Sequence, residues 1–168
     1  MAEINSTYIL EKLNAHFGEG IILHSEEPYN FLTITAKSEF NIEILKFLFN
    51  DADLRVQFMT DLTVVHYPEK KQDFVVVYHL HSLENNYRLR LKFPLSKASL
   101  HIKTATAVFA TANWLEREAY DFFGVDFVGH PDLRRILNVD HMEAFPLRKE
   151  FPLEDPNRID KKDSFFGR

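Results

Sequence analysis

Apolar residues recur at helical spacing in three stretches of the chain and alternate with polar ones in several others. Residues 5–17 place Ile9, Leu10, Leu13 and Phe17 on one side of a helix, with Asn5 or Ser6 positioned to cap it and Gly18 to stop it. Two short apolar runs follow, residues 21–24 and 31–36, with Pro28 and Asn30 between them, a hairpin pattern. Ser38 is positioned to cap a second helix that runs to Asn50 and buries Phe40, Ile44, Leu45, Phe47 and Leu48. Three longer strands are expected next, over residues 54–67, 74–83 and 87–95. Glu84-Asn85-Asn86 separates the last two, so they should pair antiparallel. In Tyr87-Arg88-Leu89-Arg90-Leu91-Lys92-Phe93 basic and apolar residues alternate strictly, as in a strand with its apolar side on a core and its basic side outward. A third helix is predicted over residues 106–123. Asn113 is a candidate cap with Glu116 three residues on, a capping-box spacing, and Gly124 is the stop.

After Gly124 the pattern changes. Pro131, Pro146, Pro152 and Pro156 punctuate the remaining chain, and residues 129–168 hold eight basic and eight acidic residues. A segment so dense in charge and proline makes no core of its own, so it is expected to be disordered or wrapped over another protein. Leu133, Ile136, Leu137, Phe145, Leu147, Phe151 and Leu153, spaced through it, favour wrapping.

Composition narrows the function. The net charge of −5 argues against nucleic acid as a ligand, because phosphate neutralisation needs clustered Lys and Arg. Sixteen Phe bring large apolar area without a polar handle, so some of them are candidates for cover by a partner. No apolar run approaches the roughly 20 residues of a membrane span. The first five residues lack the basic and apolar regions of a signal peptide, which points to the cytoplasm. There is no Cys, which excludes disulfides, thiol nucleophiles, Cys-ligated zinc and ordinary iron–sulfur clusters in this chain.

Few motifs carry chemistry. Gly18-Glu19-Gly20 fails as a dinucleotide fingerprint, since it follows a helix and Leu23 stands where the third glycine belongs. His79 and His81 fall on one face of a strand and so form a metal candidate. They lack a visible third ligand, and the alternative is a pair of histidines on a sheet face covered by a helix or a partner. The segment Trp114-Leu115-Glu116-Arg117-Glu118-Ala119-Tyr120-Asp121-Phe122-Phe123-Gly124 puts Leu115, Ala119 and Phe122 on one apolar side, and Arg117 and Asp121 four apart, a pairing distance. Arg134 and Arg135 follow shortly in an otherwise acidic chain, suggesting bidentate contacts to carboxylates within the chain or across an interface.

That segment, continued by Gly129-His130-Pro131-Asp132-Leu133-Arg134-Arg135-Ile136-Leu137, resembles the signature of the 30-kDa subunit of bacterial-type NADH:quinone oxidoreductase (respiratory complex I). Pro146-Leu147-Arg148-Lys149-Glu150-Phe151-Pro152-Leu153 is similar to the family's tail, and the likeness extends over about residues 38–155. It implies an α+β fold: a mixed or antiparallel sheet packed with about three helices over residues 1–128, and a C-terminal segment, 129–168, extended over partner subunits. It further implies a cofactor-free structural subunit of the peripheral arm, with FMN and iron–sulfur clusters held by other subunits. The chain would brace the quinone-site (49-kDa) and cluster-bearing subunits on the cytoplasmic side of the bacterial inner membrane, meeting the membrane only through the complex. An equivalent place in a membrane-bound hydrogenase complex is the alternative. The signature transfers to Glu116, Arg117, Glu118, Asp121, His130, Arg134 and Arg135, and the tail to Arg148 and Lys149, as fold and docking residues with no catalytic role. The stretch 138–145 lacks the glycine-containing segment found in many members, and a chain ending at Arg168 is expected to be unfused from the quinone-site subunit.

Overall fold

The computed structural model describes residues 4–70 and 73–151. Three helices pack on one face of a five-stranded sheet. Helix α1 spans Ser6–Phe17, and Asn5 caps it by accepting the Tyr8 N–H. Strands β1 (Ile22–Glu26) and β2 (Leu32–Ala36) form the expected antiparallel hairpin. A 3-10 turn at Ser38–Phe40 leads into α2 (Asn41–Asn50), and Ser38 makes no side-chain cap. Strand β3 covers Phe58–His66, later than expected. The Asp51 carboxylate accepts the N–H groups of Asp53 and Leu54, and this turn holds residues that the sequence pattern assigns to a strand.

Strands β4 (Phe74–Ser82) and β5 (Tyr87–Leu95) are the predicted antiparallel hairpin. The sheet order is β1-β2-β5-β4-β3, with β2 and β5 parallel at its centre, so the sheet is mixed. Pro94 sits in β5 beyond the last residue paired with β2, where its missing N–H leaves that ladder intact. The alternation read in β5 holds: Leu89, Leu91 and Phe93 are buried, and Arg88, Arg90 and Lys92 point to the opposite face. On the core side they meet Ile34, Val64, Val76 and Tyr78, with Ile9 and Leu13 of α1 and Ile44, Leu45 and Leu48 of α2.

A second sheet was not anticipated. β6 (His101–Lys103) and β7 (Asp126–Val128) pair in parallel and flank α3, Ala112–Phe123. The helix starts six residues later than predicted, and Asn113 is not its cap. Gly124 does end it, in the left-handed conformation at φ 70°.

Candidate docking site around the third helix

Helix α3 is buried on two sides. One side, Ala112, Glu116, Ala119 and Phe123, faces the core, with Leu115 and Phe122 partly buried beside it. Glu116 belongs to no capping box. Its carboxylate reaches back to the connection from β6, accepting the Ala105 N–H at 2.6 Å and the Thr104 hydroxyl at 2.5 Å. Burial pushes its pKa up to about 7, against the pull of those two donors. The Tyr78 hydroxyl nearby is fully buried with no hydrogen-bond partner in range among the described residues, and burial, then the Glu116 charge, raises its pKa against the pull of the Asn41 side chain.

The other side of α3 is covered by residues 129–151, which run alongside the helix as a strap. The order of contacts gives the direction. His130 Nε2 donates to the Asn113 carbonyl at 3.0 Å, because its Nδ1 accepts the Asp132 N–H and leaves the proton on Nε2. One turn on, Arg117 donates to the carbonyls of Arg134 and Arg135 at 3.3 and 3.2 Å. A further turn on, Asp121 accepts the N–H groups of Ile136, Leu137 and Asn138, the Asn138 side-chain amide, and Arg135 Nη1 at 2.7 Å. Arg117 and Asp121 therefore do not pair with each other. Both grip the strap.

Asp121 is fully buried. Burial raises the pKa of its carboxyl. The N–H groups of Asn138 and Leu137, with Arg135 and the Asn138 amide, outweigh this and hold it well below the usual carboxylate range. Arg135 completes the lock by donating to the carbonyls of Met142 at 2.6 Å and Ala144 at 3.2 Å, with its guanidinium over the Phe145 ring. Arg134 differs: it lies at the surface, 70% exposed, paired with Asp132. Glu118 is also exposed.

The end of the strap crosses the C-terminus of α3. Leu147 N–H donates to the Phe122 carbonyl and Arg148 Nε to the Phe123 carbonyl, which a helix end leaves unpaired. A Cβ on Gly124 would lie 2.5 Å from Arg148 Nη2 and 2.7 Å from the Phe145 ring, so both its φ and this approach demand glycine. Lys149 contributes its backbone: its N–H donates to Nδ1 of His66, a buried ring stacked on Phe74. Burial first, then the nearby Arg148 and Lys97, lowers the His66 pKa, against Glu150 and Asp73. The strap thus lies on the chain's own domain, a placement that the choice between disorder and another protein leaves out. The expected segment from residue 152 onward lies outside the described residues.

With this geometry in place, the comparisons with known proteins decide the family. Residues 34–157 match the family described as the 30 Kd subunit of respiratory-chain NADH dehydrogenase. The chain belongs to that family. Among the 30-kDa relatives, an NADH-quinone oxidoreductase subunit of Citrifermentans bemidjiense is 45% identical over 158 residues, 94% of this chain and 95% of the relative. The protein of the same name from Caulobacter vibrioides is 46% identical over 134 residues, 80% of this chain and 67% of its own. Among solved structures, a trypsin-resistant fragment of Nqo5 superposes with a TM-score of 0.64 at 26% identity, covering 74% of this chain and 99% of the fragment. A chain of an archaeal membrane-bound sulfane sulfur reductase shares the fold, with a TM-score of 0.72 at 20% identity over 88% of this chain and 85% of its own.

In this 30-kDa-family chain four of the signature residues named from the sequence, Arg117, Asp121, His130 and Arg135, come together where the strap meets α3, whereas Glu116 turns to the core side and Glu118 and Arg134 lie at the surface. The glycine-poor stretch 138–145 is routed by Arg135 and by a turn in which Met142 N–H meets the Val139 carbonyl. Three functional positions escaped the sequence reading: Thr104, Asn138 and His66. None stands near its partner in the chain, so no local spacing marks it. The metal candidates His79 and His81 share a face as expected, but Arg90 Nε donates to His79 Nε2 at 2.8 Å. Among the described residues no three His, Cys, Asp or Glu gather to hold a metal ion.

Proposed function

We propose that the chain is a cofactor-free structural subunit of the peripheral arm of a proton-translocating NADH:quinone oxidoreductase. It braces the quinone-site (49-kDa) and cluster-bearing subunits while electrons pass from NADH through FMN and iron–sulfur clusters to quinone. It contributes geometry and no catalytic residue. The observation that carries this reading is the outer surface of the strap. The strap is locked from within by Arg117, Asp121 and Arg135, yet it and α3 leave large apolar side chains in water: Trp114, Leu137, Val139, Leu147 and Phe151. Trp114 carries the Arg117 guanidinium against its ring, and Trp and Arg are the residues enriched where interfaces gain most energy. An exposed apolar surface of this kind, held from within, is suited to permanent association with a neighbouring protein.

No helix among the described residues is long and apolar enough to cross a membrane. In the proposed assembly the chain meets the inner membrane only through its partners, on the cytoplasmic side. The names of the relatives and the match over residues 34–157 support this assignment. Affinity purification of the tagged chain from gently solubilised membranes, with mass spectrometry, tests it. Recovery of NADH-oxidising, cluster-bearing and quinone-site subunits is the expected result. Recovery of hydrogenase or sulfur-reductase subunits instead moves the brace to a related complex; a chain of the sulfane sulfur reductase shares the fold.

A further inference from the structure

Among the described residues all three helices lie on one face of the large sheet, and its other face carries none. Alternation aims Val65 of β3, Val75 and Val77 of β4, and Arg90, Lys92 and Pro94 of β5 onto that face. Together with neighbouring threonines they floor an open depression of about 1030 Å³. Its chemistry departs from the rest of the chain. The protein carries a net charge of −5, yet Lys70, Arg90 and Lys92 line this depression and, among the described residues, no Asp or Glu does.

Arg90 is held ready there. Its Nε is spent on His79 Nε2, and its guanidinium lies 4.9 Å from the centre of the Phe31 ring. Because His79 Nε2 accepts, its remaining proton sits on Nδ1, facing Asp61 at 3.6 Å. The two Nη groups of Arg90 have no acceptor among the described residues. Lys70 lies over Tyr67 and likewise has no carboxylate partner among them, whereas Lys92 is paired with Glu26. A guanidinium fixed through Nε, with its fork open, matches a carboxylate in bidentate geometry.

We infer that the uncovered sheet face is a second docking surface, for an acidic segment of a partner protein, with carboxylates seated on Arg90 and Lys70 and apolar side chains on Val65, Val75 and Val77. A second copy of this chain does not fit, since it would set the same cations against one another. A nucleic acid would leave the valine floor unused. That the partner is a neighbouring subunit rests on the function proposed above. The surface lies on the side of the sheet opposite the helices, so the chain has two contact faces, as a brace requires.

Photo-cross-linking in the assembled complex tests the inference. A photoreactive residue replaces Thr63 or Thr35, both in the depression, and cross-linked peptides are identified after ultraviolet exposure and purification from membranes. The expected product joins this face to a partner peptide carrying at least two carboxylates. R90E should lower its yield about tenfold or more, as expected for an interfacial ion pair turned repulsive. A melting curve of R90E matched to the parent separates lost docking from lost folding, and the probes with Arg90 intact need no folding variant. Absence of product in a complex that still co-purifies overturns the inference and leaves the proposed function standing. Cross-links only to lipid, to a partner segment without carboxylates or to this chain's residues 152–168 also overturn it. A carboxylate-bearing product from a chain that co-purifies without redox subunits upholds the surface and removes the complex.

Discussion

The side chains of α3 divide their work by what they face. Asp121 and Arg135 are a buried pair, with side-chain exposures of 0% and 9%, and breaking such a pair strands the remaining charge. Arg135→Ala should cost about 3 kcal/mol in urea unfolding, the low end of the range for a broken buried pair because backbone donors still hold Asp121. Arg134→Ala, at the surface, should change stability by about 0.5 kcal/mol or less. Glu116 gives a pH signature. Its folded-state pKa of about 7 lies above its ordinary 4.5, so between these values the folded chain keeps a proton that the unfolded chain releases. Its favourable contribution is therefore present at low pH and lost as pH rises. Between pH 4.5 and 8 the stability of Glu116→Gln relative to the parent should rise by on the order of 3 kcal/mol, measured by parallel urea titrations. The sequence displayed these residues but not their partners. Helical spacing offered Asp121 to Arg117, and carbonyls 17 and 18 residues away took Arg117 instead.

Among the elements, the strap holds best where helix and backbone geometry coincide. Gly124→Ala forces a side chain into the left-handed region, which costs about 1–2 kcal/mol, and drives its Cβ into Arg148 and Phe145. Trypsin should then cut after Arg148 and Lys149 several-fold faster, with the core of the domain still resistant. His66 sets a second condition. Its pKa is depressed below the ordinary 6.5, so the stability it contributes is present above that value and lost as pH falls further. Protonation removes the acceptor for the Lys149 N–H. Amide exchange at Lys149, corrected for intrinsic rate, should accelerate at pH 5.5 relative to pH 7.5, and His66→Phe should abolish the difference by removing the bond at both. Strands β4 and β5 were legible because nine residues give alternation room to show. Strands β6 and β7, at three residues each, do not, and the turn at Thr104–Thr106 that delays α3 depends on Glu116 reaching back eleven or twelve residues.

At the scale of the molecule, the parallel pairing of β2 with β5 was the feature furthest from view. It joins residues more than fifty positions apart, across a helix and two strands, and no turn signal announces it. The α+β class was still readable, because helical and alternating patterns occupied separate stretches. The proposed brace makes its own prediction here. Leu137→Asp places a charge on the exposed outer surface of the strap, so it should leave the melting temperature of the isolated chain within about 1–2 °C of the parent. Recovery of partner subunits in membrane purifications should fall at least fivefold. An equal loss of both would mean that Leu137 supports the fold rather than an interface.

The grip on the strap has an evolutionary consequence. Arg117, Asp121, Arg135 and Arg148 all reach main-chain N–H or C=O groups, at residues 123, 134–138, 142 and 144. A contact to the main chain is indifferent to the side chain that main chain carries. The strap can therefore change its letters at many positions, and its outer surface can be retuned to a drifting neighbour, while four grasping side chains keep its path. In a library of strap variants, tolerance should follow this division, permissive at Ile136 and Met142 and strict at Arg135.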